Sequence, residues 1–420
     1  MQSSKDQSTR LVALCSAIYF TSYLTRKTYE ASILAICDDT GLARTAAGLA
    51  GTATVALYGG GQFVTGWLAD RLDPRKIVFA ALLLTAACNA AMPLAVGSVA
   101  ALVALNAVNG FAQAMFWPPL VKIFADNLSS DRYKGAVFSV NVAANVAIIA
   151  VFALVAACIR FAGWRLSFML VAAAALAMAA AWRSFSRSSA PGDDDSRQPA
   201  TDTPHSTPDR RTAPLPASIF STFQPFNLST VMWLLPVVLA TVCMGVMRDG
   251  IEAWAPTIVK DVYGLGASGS TLSVAILPVF AVASMAAARR LRTALGDEIR
   301  AALALFAIGA VCAGALFASA GGTLATGLPL LAVLSAAMYG VNLMLVCELP
   351  GRFAGGGRVG TISGILNSGV YVGAALSIYG FAKLHERFAG WRPVFALWIA
   401  VVAAGIALLA AALGMRRNRS

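Results

Sequence analysis

The chain has 420 residues, 58% of them hydrophobic and 12% charged, with mean hydropathy +0.71 and a formal net charge of +12. An ordinary soluble domain carries about 25% charged residues, so a soluble enzyme, a disulfide scaffold and a large extramembrane domain are excluded, and a polytopic membrane protein is the natural reading. Nucleic acid is not an expected partner, because the Lys and Arg residues fall between apolar runs instead of forming one stripe on a polar domain.

A hydrocarbon core about 30 Å thick needs roughly 20 apolar residues per helix, and windows bounded by charge, Gly and Pro predict twelve spans. The first six are 11–36, 46–69, 77–96, 99–124, 135–158 and 164–183; the second six are 229–259, 269–290, 301–320, 325–348, 359–382 and 392–414. The first run contains Arg26 and Lys27 and lacks a small-residue cleavage site, so it is expected to stay as a span. Between the two sets, residues 184–228 hold Pro191, Asp193, Asp194, Asp195, Pro199, Pro204, Pro208, Arg210 and Arg211. That composition predicts a disordered linker, joining a six-helix bundle at 1–183 to another at 229–420. With the amino terminus inside, basic residues favour the inner segments by about three to one, which predicts that both termini and the linker are cytoplasmic.

Seven cysteines show no Cys-x-x-Cys, and six lie in apolar stretches, where they read as small core residues. His205 and His385 give no zinc or catalytic constellation, so neither a metal nor a cofactor is expected.

Charges inside the spans carry most of the chemical information. An arginine at the bilayer centre costs about 2.5–3.5 kcal/mol even on the insertion scale, so Arg26, Lys27 and Arg248 must face protein or water. On a 3.6-residue period Tyr19, Tyr23 and Arg26 share a helix face. This places phenol hydroxyls beside a guanidinium whose fixed donors suit a phosphate or carboxylate. Glu30 follows Arg26 by four residues and Glu252 follows Arg248 by four, so structural ion pairs within each helix are an alternative reading. With Asp249 added, the acidic residues balance the basic ones in this layer. Glu30, Asp249 and Glu252 are therefore candidates for proton coupling. Trp117, ahead of Pro118 and Pro119, either lines a cavity or fills a kinked helix. Asn141 and Asn145 share a face and reach either a solute or a neighbouring helix. Lys122 lies one turn from Asp126 and can snorkel to the inner interface, and Glu348 is a candidate partner for basic loop residues. Gly59-Gly60-Gly61 lacks the Lys-Ser/Thr of a nucleotide site and reads as close helix packing.

The two sets of spans repeat in parallel. Residues 23–30 lie against 245–252 at a shift of 222, aligning Arg26 with Arg248 and Glu30 with Glu252. Gly163-Trp164-Arg165 opens the sixth span and Gly390-Trp391-Arg392 opens the twelfth. Two six-helix halves of one orientation are the arrangement of major facilitator transporters, with the site near the midplane between them. Gly66-Trp67-Leu68-Ala69-Asp70-Arg71-Leu72-Asp73-Pro74-Arg75-Lys76, between spans two and three, resembles that superfamily's signature loop. Its Gly66, Asp70, Arg71 and Arg75 are the candidate gating residues.

Several segments resemble the organophosphate:phosphate antiporter family in particular, typified by glycerol-3-phosphate and hexose-phosphate transporters. They are Tyr19, Tyr23, Arg26 and Lys27 in span one, Tyr58-Gly59 in span two, Asn109 to Pro119 in span four, Arg248 with Trp254-Ala255-Pro256-Thr257 in span seven, and Tyr371 in span eleven. The resemblance implies an all-α major facilitator fold in which Arg26 and Arg248 face each other and bind phosphate. Lys27, Tyr19, Tyr23, Tyr58, Trp117, Asn145 and Tyr371 are then further substrate contacts. The chain departs from the family at Ala144, where the pattern has histidine, at Gln62, where it has lysine, and at Gly245, where it has tyrosine. The expectation is thus a monomeric inner-membrane or plasma-membrane transporter whose partners are the bilayer and a small anionic solute. A phosphorylated metabolite exchanged for phosphate leads; proton-coupled uptake of a carboxylate such as a sugar acid, or a transporter-like receptor, are the alternatives.

Overall fold

Apolar windows become helices in a computed structural model that describes residues 2–42, 44–188, 227–265, 276–319, 322–388 and 390–417; the first part of the expected span 269–290 lies outside the described residues. In chain order they are α1 (Gln2–Thr40), α2 (Arg44–Ala69), α3 (Pro74–Ala95), α4 (Val99–Ala114), α5 (Trp117–Asn127), α6 (Ser130–Phe161) and α7 (Trp164–Ser188). The second series is α8 (Leu228–Tyr263), α9 (Leu277–Leu295), α10 (Glu298–Ala318), α11 (Leu324–Asn342), α12 (Val359–Phe388) and α13 (Arg392–Arg417). Counting α4 and α5 as one span gives twelve among the described residues, with no strand. Nine of these are apolar and long enough to cross a bilayer by composition alone. The other three are α1 with its internal charges, α2 with its glycines and threonines, and α9 with Arg289, Arg290 and Arg292.

Local chemistry sets the boundaries. Asp73 caps α3 by accepting from the Arg75 amide at 2.9 Å, and Pro74 occupies the first turn, where no N–H is needed. Asp297 caps α10 by accepting from the amides of Ile299 at 2.8 Å and Arg300 at 3.2 Å. Four expectations need correction. α1 starts at Gln2 and runs to Thr40, beyond 11–36 at both ends. The expected single helix 99–124 is interrupted at Met115 and Phe116, because Pro118 and Pro119 have no N–H to continue the ladder. The span expected at 325–348 is regular only to Asn342; it continues as a π turn, Leu343–Glu348, and a 3-10 turn, Leu349–Gly356. The linker expected at 184–228 is shorter at each end, since α7 continues to Ser188 and Leu228 opens α8; residues 189–226 lie outside the described residues.

Packing repeats as the sequence does. α1 packs on α6 and α7, and α8 packs on α12 and α13. α2 lies on α4 as α9 lies on α11, and α3 on α7 as α10 on α13. A matched pair of clips closes each half at the end of the helices away from the chain termini, the far end. There the Trp164 indole N–H donates to Asp39 and the Trp391 indole N–H to Asp261, both at 3.0 Å. Ile149 and Phe152 on α6 and Val311 on α10 are exposed, as apolar side chains facing lipid would be.

At the opposite end, which carries Gln2 and Arg417, the halves meet along α2 and α12. A Cβ on Gly66 would lie 2.4 Å from the Gly360 carbonyl oxygen, and one on Gly364 would lie 2.3 Å from that of Gln62, so this seam is backbone against backbone. Asp70 accepts from the amides of Gly360 at 2.9 Å and Thr361 at 2.7 Å, satisfying orphan N–H groups at the start of α12. Alongside, the Tyr133 hydroxyl donates to the Cys347 carbonyl at 2.8 Å.

Candidate functional site

Arg26 lies fourteen residues before the end of α1, and Arg248 fifteen before the end of α8. At 1.5 Å per residue both sit about 20 Å inside the far end. Neighbouring polar groups fix the rotation of α1 here. The Gln113 amide on α4 donates to Thr25 at 2.9 Å and to Thr85 of α3 at 2.8 Å, and Thr85 donates to Asn109 at 2.7 Å. With Thr25 held in the bundle, the next residue, Arg26, turns toward the opposite half. Its Nη2 donates to the Tyr371 hydroxyl of α12 at 3.0 Å, and its guanidinium lies 4.0 Å from the Tyr58 ring centroid. The Tyr23 and Tyr371 rings stand farther away, at 5.4 and 5.6 Å. Tyr58 and Tyr371 meet edge to face at 4.5 Å. A second aromatic layer runs from Tyr23 to Tyr19 at 5.2 Å and from Tyr19 to Trp117 at 5.5 Å, joining α5 to this wall.

On the other side, close approach to α12 orients α8. A Cβ on Gly245 would lie 2.1 Å from the Val370 carbonyl oxygen, so no larger side chain fits at that position. Arg248 is only 9% exposed. It makes 3.0 Å contacts with both carboxylate oxygens of Asp249 and donates through Nη1 to the Asn342 side-chain oxygen, also at 3.0 Å. Its guanidinium lies 5.5 Å from the Tyr339 ring, whose hydroxyl donates to Glu252. Glu252 is solvent-exposed, as is Glu30, although neither lies at a helix end.

The i to i+4 pairs offered as an alternative do not form. Glu30 instead accepts from Lys27 at 2.7 Å, and Arg248 is neutralised by the adjacent Asp249. Rotamer choice decides this: Lys27 reaches one turn forward, whereas Arg26 points across to α12. Arg26, Tyr23, Tyr58 and Tyr371 are therefore gathered at one place, and Arg248, Asp249, Asn342, Tyr339 and Glu252 at another. Lys27 is within electrostatic reach of both Arg26 and Glu252. Asn145 donates to the Asn141 carbonyl on its own helix at 2.9 Å. Asn141 in turn reaches the Cys347 Sγ at 3.4 Å.

Among the gating candidates, Asp70 engages the start of α12 and Gly66 its backbone, as above. Arg71 lies with its guanidinium 4.2 Å from the Trp67 ring, and Arg75 donates to Asn127 at 3.5 Å. Lys122 pairs with Asp126 at 2.7 Å and Glu348 with Arg292 at 3.2 Å. Tyr339, Asn342 and Tyr133 were not expected from the sequence. Tyr339 and Asn342 are polar residues one turn apart in an otherwise apolar run, a signal that was present for both. Among the described residues no group of three His, Cys, Asp or Glu side chains is placed to hold a metal.

The model of the Major Facilitator Superfamily matches residues 15–378. The chain belongs to that superfamily. It is a multi-pass membrane protein of a transporter family, not an enzyme. This facilitator is 32% identical over 132 residues to a glycerol-3-phosphate transporter of Bacillus subtilis, a stretch covering 30% of this chain and 29% of that one. It is 27% identical over 148 residues to a probable hexose phosphate transport protein of Chlamydia muridarum, covering 35% and 32%. The chain thus matches about a third of the length of these curated relatives. Solved structures similar in fold include a bacterial homologue of the iron transporter ferroportin in an outward-facing state, with a TM-score of 0.77 and 12% identity over 96% of this chain and 99% of that one. Another is the facilitator FucP in the outward conformation, with a TM-score of 0.71 and 13% identity over 97% and 99%.

Proposed function

We propose that this facilitator is a secondary active transporter that moves a small organic anion by alternating access, with a phosphorylated metabolite exchanged for inorganic phosphate as the leading chemistry. One observation carries the reading. Deep within α1, Arg26 contacts a tyrosine hydroxyl and three aromatic rings but makes no ion pair with a carboxylate among the described residues. A guanidinium in a membrane span is costly without a counter-charge, and a solute phosphate or carboxylate supplies one through two parallel N–H···O bonds. Tyr23, Tyr58 and Tyr371 surround the bound group, Lys27 adds positive potential, and Tyr19 and Trp117 back the aromatic wall. The similarity to proteins named for glycerol 3-phosphate and hexose phosphate supports the phosphate ester. The same anion engages Arg248 only by displacing Asp249.

Closure follows from charge. An empty site with Arg26 uncompensated resists sealing at both ends, so exchange of one anion for another is favoured over unaccompanied movement. The two six-helix halves, 1–183 and 229–420, rock about the α2–α12 seam, with both termini in the cytoplasm of a monomer. Counterflow in proteoliposomes loaded with phosphate tests this. Labelled phosphate is expected to exchange in the unaltered protein, and Arg26→Ala is expected to abolish exchange. Persistent exchange in Arg26→Ala would refute the assignment of the anion clamp.

A second reading has its own support. Asp249, Glu252 and Glu30 place three carboxylates beside three cations, and Glu252 and Glu30 are open to water. That composition suits proton-coupled symport of a carboxylate. Uptake that follows an imposed pH gradient without internal phosphate would select it.

A further inference from the structure

The charges of this layer do not pair off symmetrically. Lys27 is closed by Glu30 at 2.7 Å and Arg248 by Asp249 at 3.0 Å. Two ionisable groups are left over, one from each half: Arg26 on α1, whose polar contact is the Tyr371 hydroxyl, and Glu252 on α8, whose polar contact is the Tyr339 hydroxyl. Neither has an opposite charge in ion-pair contact among the described residues. They have opposite signs and stand on facing helices: the Tyr371 that Arg26 reaches follows Val370, whose backbone packs against Gly245 of α8, two turns before Glu252. Each is flanked by aromatic rings, Tyr58 and Tyr371 around Arg26 and Tyr339 beside Glu252.

We propose that the substrate is zwitterionic, a short molecule whose phosphate, phosphonate or carboxylate group sits on Arg26 while its ammonium group sits on Glu252. The inference rests on the anion reading above and narrows it. A plain dianion would satisfy Arg26 and be repelled by Glu252, Asp249 and Glu30. A plain cation would satisfy Glu252 and be repelled by Arg26. A molecule carrying both groups meets both leftover charges at once, while the Lys27–Glu30 and Arg248–Asp249 pairs stay intact. Tyr339 and Tyr371 then bind the substrate's two ends through rings and hydroxyls already in place, and a cation beside the Tyr339 ring gains further attraction. The bound molecule ties α1 to α8, drawing the halves together.

The test compares two probes that share a phosphate ester and differ in the amine. Binding of O-phosphoethanolamine and of glycerol 3-phosphate is measured by thermal shift and by competition in proteoliposome uptake, in the unaltered protein, Glu252→Gln and Arg26→Ala. O-phosphoethanolamine is expected to bind at least about tenfold more tightly than glycerol 3-phosphate in the unaltered protein, a gap in the range of a charge-assisted contact. Glu252→Gln is expected to collapse that ratio to about one. Equal affinity for the two probes in the unaltered protein, both lost in Arg26→Ala, would overturn the zwitterion assignment and leave the anion reading intact. Uptake of the amine-free probe that is driven by a pH gradient and uncoupled from it by Glu252→Gln would also overturn it, because Glu252 would then carry a proton. No binding of either probe, or binding indifferent to Arg26→Ala, would overturn both readings together. The comparison in the unaltered protein decides the matter even where a variant fails to fold.

Discussion

At the scale of single residues, the two arginines occupy equivalent places in the repeat and have different surroundings. Arg26 is cradled by Tyr58 and Tyr371, whereas Arg248 is held by Asp249 and Asn342. Tyr371→Phe removes one hydrogen bond to the guanidinium and keeps the ring. It is expected to weaken anion binding about fivefold, in line with roughly 1 kcal/mol for such a bond, measured by equilibrium binding of labelled phosphate. Asp249→Asn has the opposite sign: it releases the Arg248 fork and is expected to tighten phosphate binding about tenfold, with a substrate range shifted toward dianions. An unchanged phosphate affinity in Asp249→Asn would show that Arg248 plays no part in anion binding. The sequence made Arg26 and Arg248 legible because a charge in an apolar run needs a reason. It could not assign their partners, since i to i+4 spacing offers Glu30 and Glu252 equally well, and only side-chain direction excludes them. Gly245 was legible only as a departure from a family pattern; the Val370 backbone pressed against it explains why nothing larger stands there.

At the scale of elements, the α2–α12 contact depends on the absence of side chains. Gly66→Ala would place a methyl group against the Gly360 carbonyl, with backbone on both sides and little room to yield. It is expected to hold this end apart, measured as increased labelling of single cysteines introduced along α2, with transport lost. Normal transport in Gly66→Ala would mean that the seam does not close tightly in the working cycle. The π turn Leu343–Glu348 links this seam to the site. Asn342 at its start holds Arg248, and the Cys347 carbonyl near its end accepts from Tyr133 of the other half. Tyr133→Phe is expected to slow exchange several-fold while leaving equilibrium binding at Arg26 nearly unchanged. The spans themselves were legible because apolar length is a coarse signal that survives uncertainty in every boundary. The π and 3-10 turns were not, because local backbone winding follows from tertiary contacts such as the Tyr133 bond and carries no periodicity of its own.

At the scale of the whole molecule, an ion network braces the second half near the chain termini. Arg352 donates to Asp297 at 2.8 Å and also meets Glu298, Arg416 from the last helix reaches Asp297, and Arg292 pairs with both Glu298 and Glu348. Burial by itself would push the Asp297 carboxyl up, but the Arg352 and Arg416 guanidiniums and the Arg300 amide outweigh it and hold it at about 2. A carboxyl depressed in the folded state lends stability above its ordinary value near 3.8 and loses it as pH falls toward 2. With solvent screening allowed for, the contribution is about 1–2 kcal/mol. The melting temperature of the purified protein is therefore expected to fall between pH 4 and pH 2, and Asp297→Asn to lower it at pH 7 and flatten that decline. A decline identical in Asp297→Asn would place the acid-sensitive group elsewhere. The far-end clips have a different consequence. Because Asp39 fastens Trp164 and Asp261 fastens Trp391, each clip binds a half to itself and neither crosses to its twin. Whatever parts the glycine seam leaves both clips untouched, so the two halves can swing like a pair of stiff covers on a spine that has no teeth to re-mesh.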